Sequence, residues 1–280
     1  MSERPEDNSA QIDYWNGKAG ERWTTEAERL DGMLSPFLGP VLSAAGGVSG
    51  KRVLDVGCGA GSLSLAALDA GAAHVTGVDV SAPMLALARM RAGGAAATEF
   101  IEADASEWSN DTQYDRLVSR FGVMFFADPA AAFANLRKAM RPGGRLAFAC
   151  WQPLKNNDWA AAPLKAAMPL LDQPPPRPEP GSPGPFAFED ADRTVGLLAR
   201  GGWKNANATP WTGQLTMPGS SIEETARFMT EMGPAARLIA EHEIDAEQVF
   251  GGLVGMLKGF ASPDGRVSLP AAAWIVTAEA

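Results

Sequence analysis

Three aspartates, Asp55, Asp79 and Asp104, recur at near-equal intervals, and the first stands just ahead of the alternating glycines Gly57, Gly59 and Gly61. Ionised carboxylates accept hydrogen bonds and offset positive charge, and alternating glycines let a ligand lie against bare backbone. Such a set suits a ligand that presents hydroxyls and cationic groups to one crevice. For any one of these acids alone, a helix cap or a turn is the competing role. Their shared register with a glycine turn favours a binding site.

The elements that must position them follow from the neighbouring residues. Val53-Leu54-Asp55-Val56 is strand-type sequence, and an apolar helical pattern begins at Leu63. The glycine turn therefore sits at the carboxyl end of a strand and ahead of a helix, where open α/β sheets bind ligands. The same rhythm continues. Strands are predicted at 52–56, 74–80, 98–103, 114–119 and 145–151. Helices are predicted at 62–70, ended by Gly71, and at 82–92, with Ser81 as N-cap and Pro83 in the first turn. A further helix opens on Asp128-Pro129, carries Ala132, Phe133, Leu136 and Met140 on one face, and stops at Arg141-Pro142-Gly143-Gly144. Strands alternating with helices in this way predict a parallel sheet with right-handed crossovers.

The flanks read differently. Residues 1–10 form a polar terminus, and helical segments carrying Tyr14, Trp15 and Trp23, then residues 30–47, precede the first strand. After Trp151 the prolines at 172–185 predict an extended surface connection, either a linker between two domains or, since the rhythm soon resumes, an insertion serving as a lid over the site or an arm toward a partner. A helix is predicted at 188–200, an extended stretch at 203–217, a helix opened by the capping box Ser221-x-x-Glu224, another helix at 249–257 and a buried strand at 272–277. His242 falls in a polar helical stretch at 241–243.

Composition excludes several classes of function. A net charge of −9 disfavours nucleic acid, which asks for a basic footprint. With 46% hydrophobic and 20% charged residues the chain is an ordinary globular one, and no apolar run is long enough to span a bilayer. Two cysteines, Cys58 and Cys150, read as reduced thiols in a cytoplasmic protein, with no metal-ligand pattern.

Gly-x-Gly turns after a first strand serve dinucleotides and S-adenosylmethionine alike, so the flanking residues decide between them. Ser62 occupies the position where the dinucleotide fingerprint needs its third glycine. Asp55 would oppose a pyrophosphate but suits an ammonium and a sulfonium. Asp79, followed by Val80, fits a ribose diol. Asp104 beside Ala105 fits an adenine amino group, and Met84 is placed to pack the ring.

The ordered motifs Val-Leu-Asp-Val-Gly-Cys-Gly-Ala-Gly, Gly-Val-Asp-Val-Ser, Ala-Asp-Ala, Tyr-Asp-Arg-Leu-Val-Ser and Leu-Arg-Lys-Ala-Met-Arg-Pro-Gly-Gly-Arg-Leu resemble those of class I S-adenosylmethionine-dependent methyltransferases. The resemblance covers about residues 51–151. Tyr-Trp-Asn-Gly-Lys-Ala-Gly-Glu-Arg-Trp and Phe-Gly-Val-Met-Phe-Phe-Ala-Asp-Pro are similar to a bacterial small-molecule branch related to quinone-biosynthesis C-methyltransferases. It implies an α/β, doubly wound, seven-stranded, mostly parallel Rossmann-like sheet whose last strand inserts antiparallel, with N-terminal helices and a helical lid insertion. The implied layout is one methyltransferase domain over 1–280. It comprises a cap (1–50), a cofactor-binding core (51–151), a Pro-rich insertion (152–188), a helical lid (218–262) and a final strand (270–280). Implied cofactor contacts are Tyr14, Trp15 and Trp23 over the methionine end, then Asp55, Gly57, Cys58, Gly59, Asp79, Val80, Met84, Asp104, Ala105, Ser119 and Arg120.

Many relatives in this branch carry a histidine pair after the fourth strand, where this chain has Met124-Phe125-Phe126. That change removes the familiar base and makes the wall apolar. Neither His74 nor His242 replaces it by position. Arg120 is then the polar group of interest, either orienting an anionic small-molecule acceptor or bracing the cofactor. Phe125, Trp151, Trp159 and Met229 are the expected apolar acceptor pocket. Two other functions fit a similar sheet: an NAD(P)-dependent oxidoreductase, and a non-catalytic S-adenosylmethionine-binding protein.

Overall fold

The computed structural model describes residues 8–175 and 178–280; the polar start at 1–7 and Pro176 of the proline-rich segment lie outside the described residues. Four short helices come first: α1 (Ser9–Asn16), α2 (Lys18–Thr25), α3 (Ala27–Leu34) and α4 (Leu38–Ala44). The alternating core follows with β1 (Arg52–Val56), α5 (Ser62–Asp69), β2 (His74–Asp79), α6 (Ala82–Ala92), β3 (Thr98–Glu102), β4 (Tyr114–Arg120), α7 (Pro129–Lys138) and β5 (Met140–Trp151). The remainder is α8 (Asp158–Ala167), α9 (Ala191–Arg200), β6 (Lys204–Thr216), α10 (Ile222–Glu231), α11 (Pro234–Glu241), α12 (Ala246–Leu257) and β7 (Ser268–Glu279).

The seven strands form one sheet in the order β3-β2-β1-β4-β5-β7-β6. The first five pair in parallel, and β7 inserts antiparallel between β5 and β6. Strand order reverses between β1 and β4, which opens a crevice at their carboxyl ends. Buried on both faces, β1 and β4 are nearly continuous apolar runs through Val53, Leu54, Val56, Leu117 and Val118.

Local signals set most helix ends. Asp128 caps α7 by accepting from the Ala131 N–H at 3.0 Å, and Ser221 caps α10 by accepting from Glu224 N–H. Ser81 holds the N-cap position of α6, but its hydroxyl donates instead to the Trp15 carbonyl at 2.8 Å. Asn16 Oδ1 takes over the cap, accepting from Ala82 N–H. The first helix is thereby fastened to the rim of the sheet.

Three expectations need correction. β5 begins at Met140, not Arg145, because its pairing with β4 shifts register and absorbs the Pro142-Gly143-Gly144 stretch as an irregularity inside the strand. The Pro-rich insertion at 152–188 contains the helix α8, in which Pro163 is tolerated among Ala160, Ala161 and Ala162. The polar stretch around His242 is the end of α11, with Glu243 in a left-handed conformation. Helices α10, α11 and α12 pack on α8 and on one another, so the segments predicted as insertion and lid form one helical layer.

Candidate functional site

At the crevice between β1 and β4 a cavity holds about 1070 Å³ of space free of protein atoms, part of it open to solvent. Among the described residues, those lining it lie between Asn8 and Phe126, and none comes from the segments after β5. The floor is the glycine turn after β1. Gly57 has φ of +65°, and a Cβ there would sit 2.6 Å from the Cα of Gly122, so two backbones meet with no room for a side chain. The residue before Gly122, Phe121, is itself left-handed at φ 64°. A bulky residue held in that region is strained, and such strain gathers at binding sites.

The acids occupy the cavity wall in distinct ways. Asp79 Oδ2 accepts from Gly59 N–H at 2.7 Å and Oδ1 from Ser81 N–H at 2.9 Å, so it fixes both turns while each oxygen keeps a second lone pair. Burial pushes its carboxyl up from the ordinary range against those hydrogen bonds. Asp104 Oδ1 accepts from Ser106 N–H and from Asn8 Nδ2, which joins the start of the cap to the end of β3. Asp55 is buried, with Oδ2 accepting from Ser64 Oγ at 2.6 Å and Oδ1 meeting no donor. Burial pushes its carboxyl up to about 7, opposed by the Ser64 bond and the nearby Arg120 charge.

Arg120 donates through Nη2 to Asp31 at 2.8 Å, while its Nη1 is buried without an acceptor. Two residues that line the cavity thus each carry a buried atom without a partner, a carboxyl oxygen on Asp55 and a guanidinium nitrogen on Arg120. These are complementary to the ammonium and carboxylate of an α-amino acid. Trp15 and Trp23 form the opposite wall, their rings edge-to-face at 5.7 Å, with Phe125 edge-to-face on Trp15 at 5.1 Å.

Of the expected cofactor contacts, Trp15, Trp23, Asp55, Gly57, Cys58, Gly59, Asp79, Val80, Met84, Asp104, Ala105 and Arg120 line the cavity, as does Phe125. Two do not. Tyr14 is 43% exposed and packs its ring edge-on against the outside of Trp15. Ser119 is fully buried, and its hydroxyl accepts from Gly122 N–H, which supports the turn from behind. The expected acceptor residues Trp151, Trp159 and Met229 also lie outside it. Trp151 stacks on Phe121 at 4.1 Å, one layer behind the wall, and Trp159 packs on Trp151. Met229 is buried in the core. Left-handed Phe121 interposes its ring where Trp151 had been expected.

Sequence reasoning missed Asn8, Gln11, Ala27, Leu30, Asp31 and Leu34 from the cap, and Phe121 and Gly122 from the turn after β4, while Phe126 lines the cavity as the apolar wall expected there. Asp31 could have been flagged as a lone acid beside Leu30 and Leu34 on the inward face of a helix. Nothing local marked the others.

The doubly wound sheet with its antiparallel insertion, and the acids at the strand ends by the reversal point, agree with the class I S-adenosylmethionine-dependent methyltransferase fold that the motifs imply. Residues 53–144 match the family described as Methyltransferase domain. A demethylmenaquinone methyltransferase of Clavibacter sepedonicus is 37% identical over 100 residues, covering 35% of this chain and 40% of the relative. A ubiquinone biosynthesis O-methyltransferase of Aeromonas salmonicida is 35% identical over 109 residues, covering 38% of this chain and 45% of the relative. The chain thus spans less than half the length of these relatives. Among solved structures, the magnesium protoporphyrin IX methyltransferase of Synechocystis, with bound SAH, superposes with a TM-score of 0.54 and 20% identity, covering 75% of this chain and 94% of that one. That likeness is one of fold.

The residues present fit S-adenosylmethionine. The glycine cradle admits close approach, and the two orphaned atoms on Asp55 and Arg120 match its amino-acid end in sign. If Asp79 accepts from the ribose, Asp79→Ala is expected to weaken binding of S-adenosylhomocysteine by about 1.5–3 kcal/mol. Calorimetry checks this, and unaltered affinity would remove Asp79 from the site.

Proposed function

We propose that this chain is an S-adenosylmethionine-dependent methyltransferase acting on a small organic acceptor of apolar or anionic character. The observation that carries the reading is that Asp55 and Arg120, both lining the cavity beside the glycine turn, each hold a buried polar atom, Oδ1 and Nη1, that meets no partner. The chemistry supplied on cofactor binding is an electrophilic methyl group on a sulfonium.

This chain's residues have three tasks in that reaction. Asp79, Asp104 and the turn at Gly57–Gly59 orient the ligand, so that a nucleophile can be aligned behind the methyl group. The rings of Trp15, Trp23 and Phe125 exclude water, and an aromatic face beside a sulfonium adds roughly 0.5–2 kcal/mol of cation–π attraction. Arg120 reads negative charge. No histidine lines the cavity among the described residues, and Phe125 and Phe126 make that wall apolar. The site therefore favours acceptors that are nucleophilic without a histidine base, such as phenolates, carboxylates or reduced quinones.

The quinone methyltransferases among the relatives support a ring-bearing acceptor for this chain too. Neither an oxidoreductase nor a non-catalytic binder gains support from those relatives. The two buried, unpaired thiols fit a cytoplasmic setting, and no helix among the described residues is long and apolar enough to cross a membrane.

Incubation with methyl-tritiated cofactor and a panel of small acids, phenols and quinols tests the proposal. Label is expected in at least one of them, and Arg120→Ala is expected to cut transfer at least tenfold. Transfer and cofactor affinity both unchanged in Arg120→Ala would remove that residue from the account. Label in none, with cofactor binding intact, would leave a binding protein.

A further inference from the structure

Asp31 of α3 reaches the cavity from the cap, and its two oxygens serve two arginines from different elements. Oδ1 accepts from Arg120 Nη2 at 2.8 Å, and Oδ2 accepts from Arg91 Nη1 at 2.8 Å. Arg91 Nη1 also donates to the Ala60 carbonyl at 3.1 Å, within the glycine turn. One carboxylate thus joins the cap, the end of β4, the end of α6 and, through Arg91, the turn itself. The side chains involved are only 20% (Arg91), 13% (Arg120) and 24% (Asp31) exposed, so solvent screens them weakly.

The guanidinium is planar, and pinning Nη2 fixes where Nη1 points. Here Nη1 is buried and unpaired on a residue that lines the cavity. Without Asp31 the two arginines would face one another unneutralised, and Arg120 would be free to turn onto the nearby Asp55, the acceptor for an ammonium. Resting on the reading that the cavity binds S-adenosylmethionine, we propose that Asp31 is a positioning residue. It aims Arg120 Nη1 at the carboxylate of the ligand's amino-acid end, and so couples seating of the N-terminal cap to capture of that end.

The test compares S-adenosylhomocysteine with 5′-methylthioadenosine, which keeps the adenosine and thioether but lacks the amino-acid end. Calorimetry on the full chain is run for wild type, Asp31→Asn, Asp31→Glu, Arg120→Gln and the Asp31→Asn/Arg120→Gln double variant. Asp31→Asn is expected to lose at least tenfold in affinity for S-adenosylhomocysteine while its affinity for methylthioadenosine stays within twofold. Asp31→Glu should recover part of the loss, and the double variant should lose no more than Arg120→Gln alone. Parallel losses for both ligands would reduce Asp31 to a structural strut, and additive losses in the double variant would show that it does not act through Arg120. Either result overturns the proposal but leaves the cofactor reading standing. If wild type binds neither ligand, both fall.

Discussion

Gly57→Ala is expected to abolish measurable cofactor binding, with a loss of at least 100-fold in affinity for S-adenosylhomocysteine. The cause is local and steric. The new methyl would lie 2.6 Å from Gly122 Cα and 3.2 Å from its carbonyl carbon, and neither is the far end of a flexible side chain. The turn after β1 and the turn after β4 must then separate, which spoils the geometry of both cavity walls at once. Left-handed backbone on a non-glycine residue costs about 1–2 kcal/mol, and forced overpacking adds roughly 1–3 kcal/mol. Thermal unfolding should therefore fall together with binding. Gly94→Ala separates the two effects. Its φ is +77°, but a Cβ there meets nothing within 4 Å, so it should lose only the backbone term and keep full affinity.

Asp55→Asn is expected to stabilise the ligand-free protein above pH 7 and to weaken cofactor binding. The folded carboxyl titrates near 7 against an ordinary 3.8. Between those values the folded state holds a proton that the unfolded state has released, so stability falls as pH rises through the window and is lowest above 7. The burden is on the order of 4 kcal/mol at most, and asparagine, with no charge to bury, removes it. Binding moves in the opposite direction. An ammonium beside Oδ1 needs the ionised carboxylate, so wild-type affinity should rise from pH 6 to pH 8, with proton release on binding. Asp55→Asn should lose that pH dependence and about 1.5–3 kcal/mol of affinity. Melting curves across pH and calorimetry in buffers of different ionisation heat read both effects. A variant destabilised at pH 8 with unchanged affinity would contradict the assignment.

Both predictions concern residues that are legible in the sequence, because the signals for β1, its turn and α5 are local. Strand-type residues, alternating glycines and an apolar helical stripe lie within a few positions of one another. The same holds for β2 with Asp79 and for the Asp128-Pro129 start of α7. The helices α8 and α11 carry weaker local signals, since Pro163 lies inside the first and Pro234 opens the second, and packing among α8, α10, α11 and α12 sustains them. The far half of the site was hidden for another reason. Asp31 meets Arg120 across 89 residues of chain, and no local pattern encodes that contact. Trp151 was misplaced because a single left-handed residue, Phe121, puts its own ring between the strand end and the cavity.

The central claim is that the cavity between β1 and β4 is built for a zwitterionic, sulfonium-bearing nucleoside and not for a dinucleotide. Calorimetric titration of the wild-type chain with S-adenosylhomocysteine and, separately, with NAD+ tests it most directly. The account predicts saturable one-to-one binding of S-adenosylhomocysteine, lost in Gly57→Ala, and no saturable heat with NAD+. Saturable binding of NAD+ that Gly57→Ala removes, or no binding of S-adenosylhomocysteine at all, would contradict it.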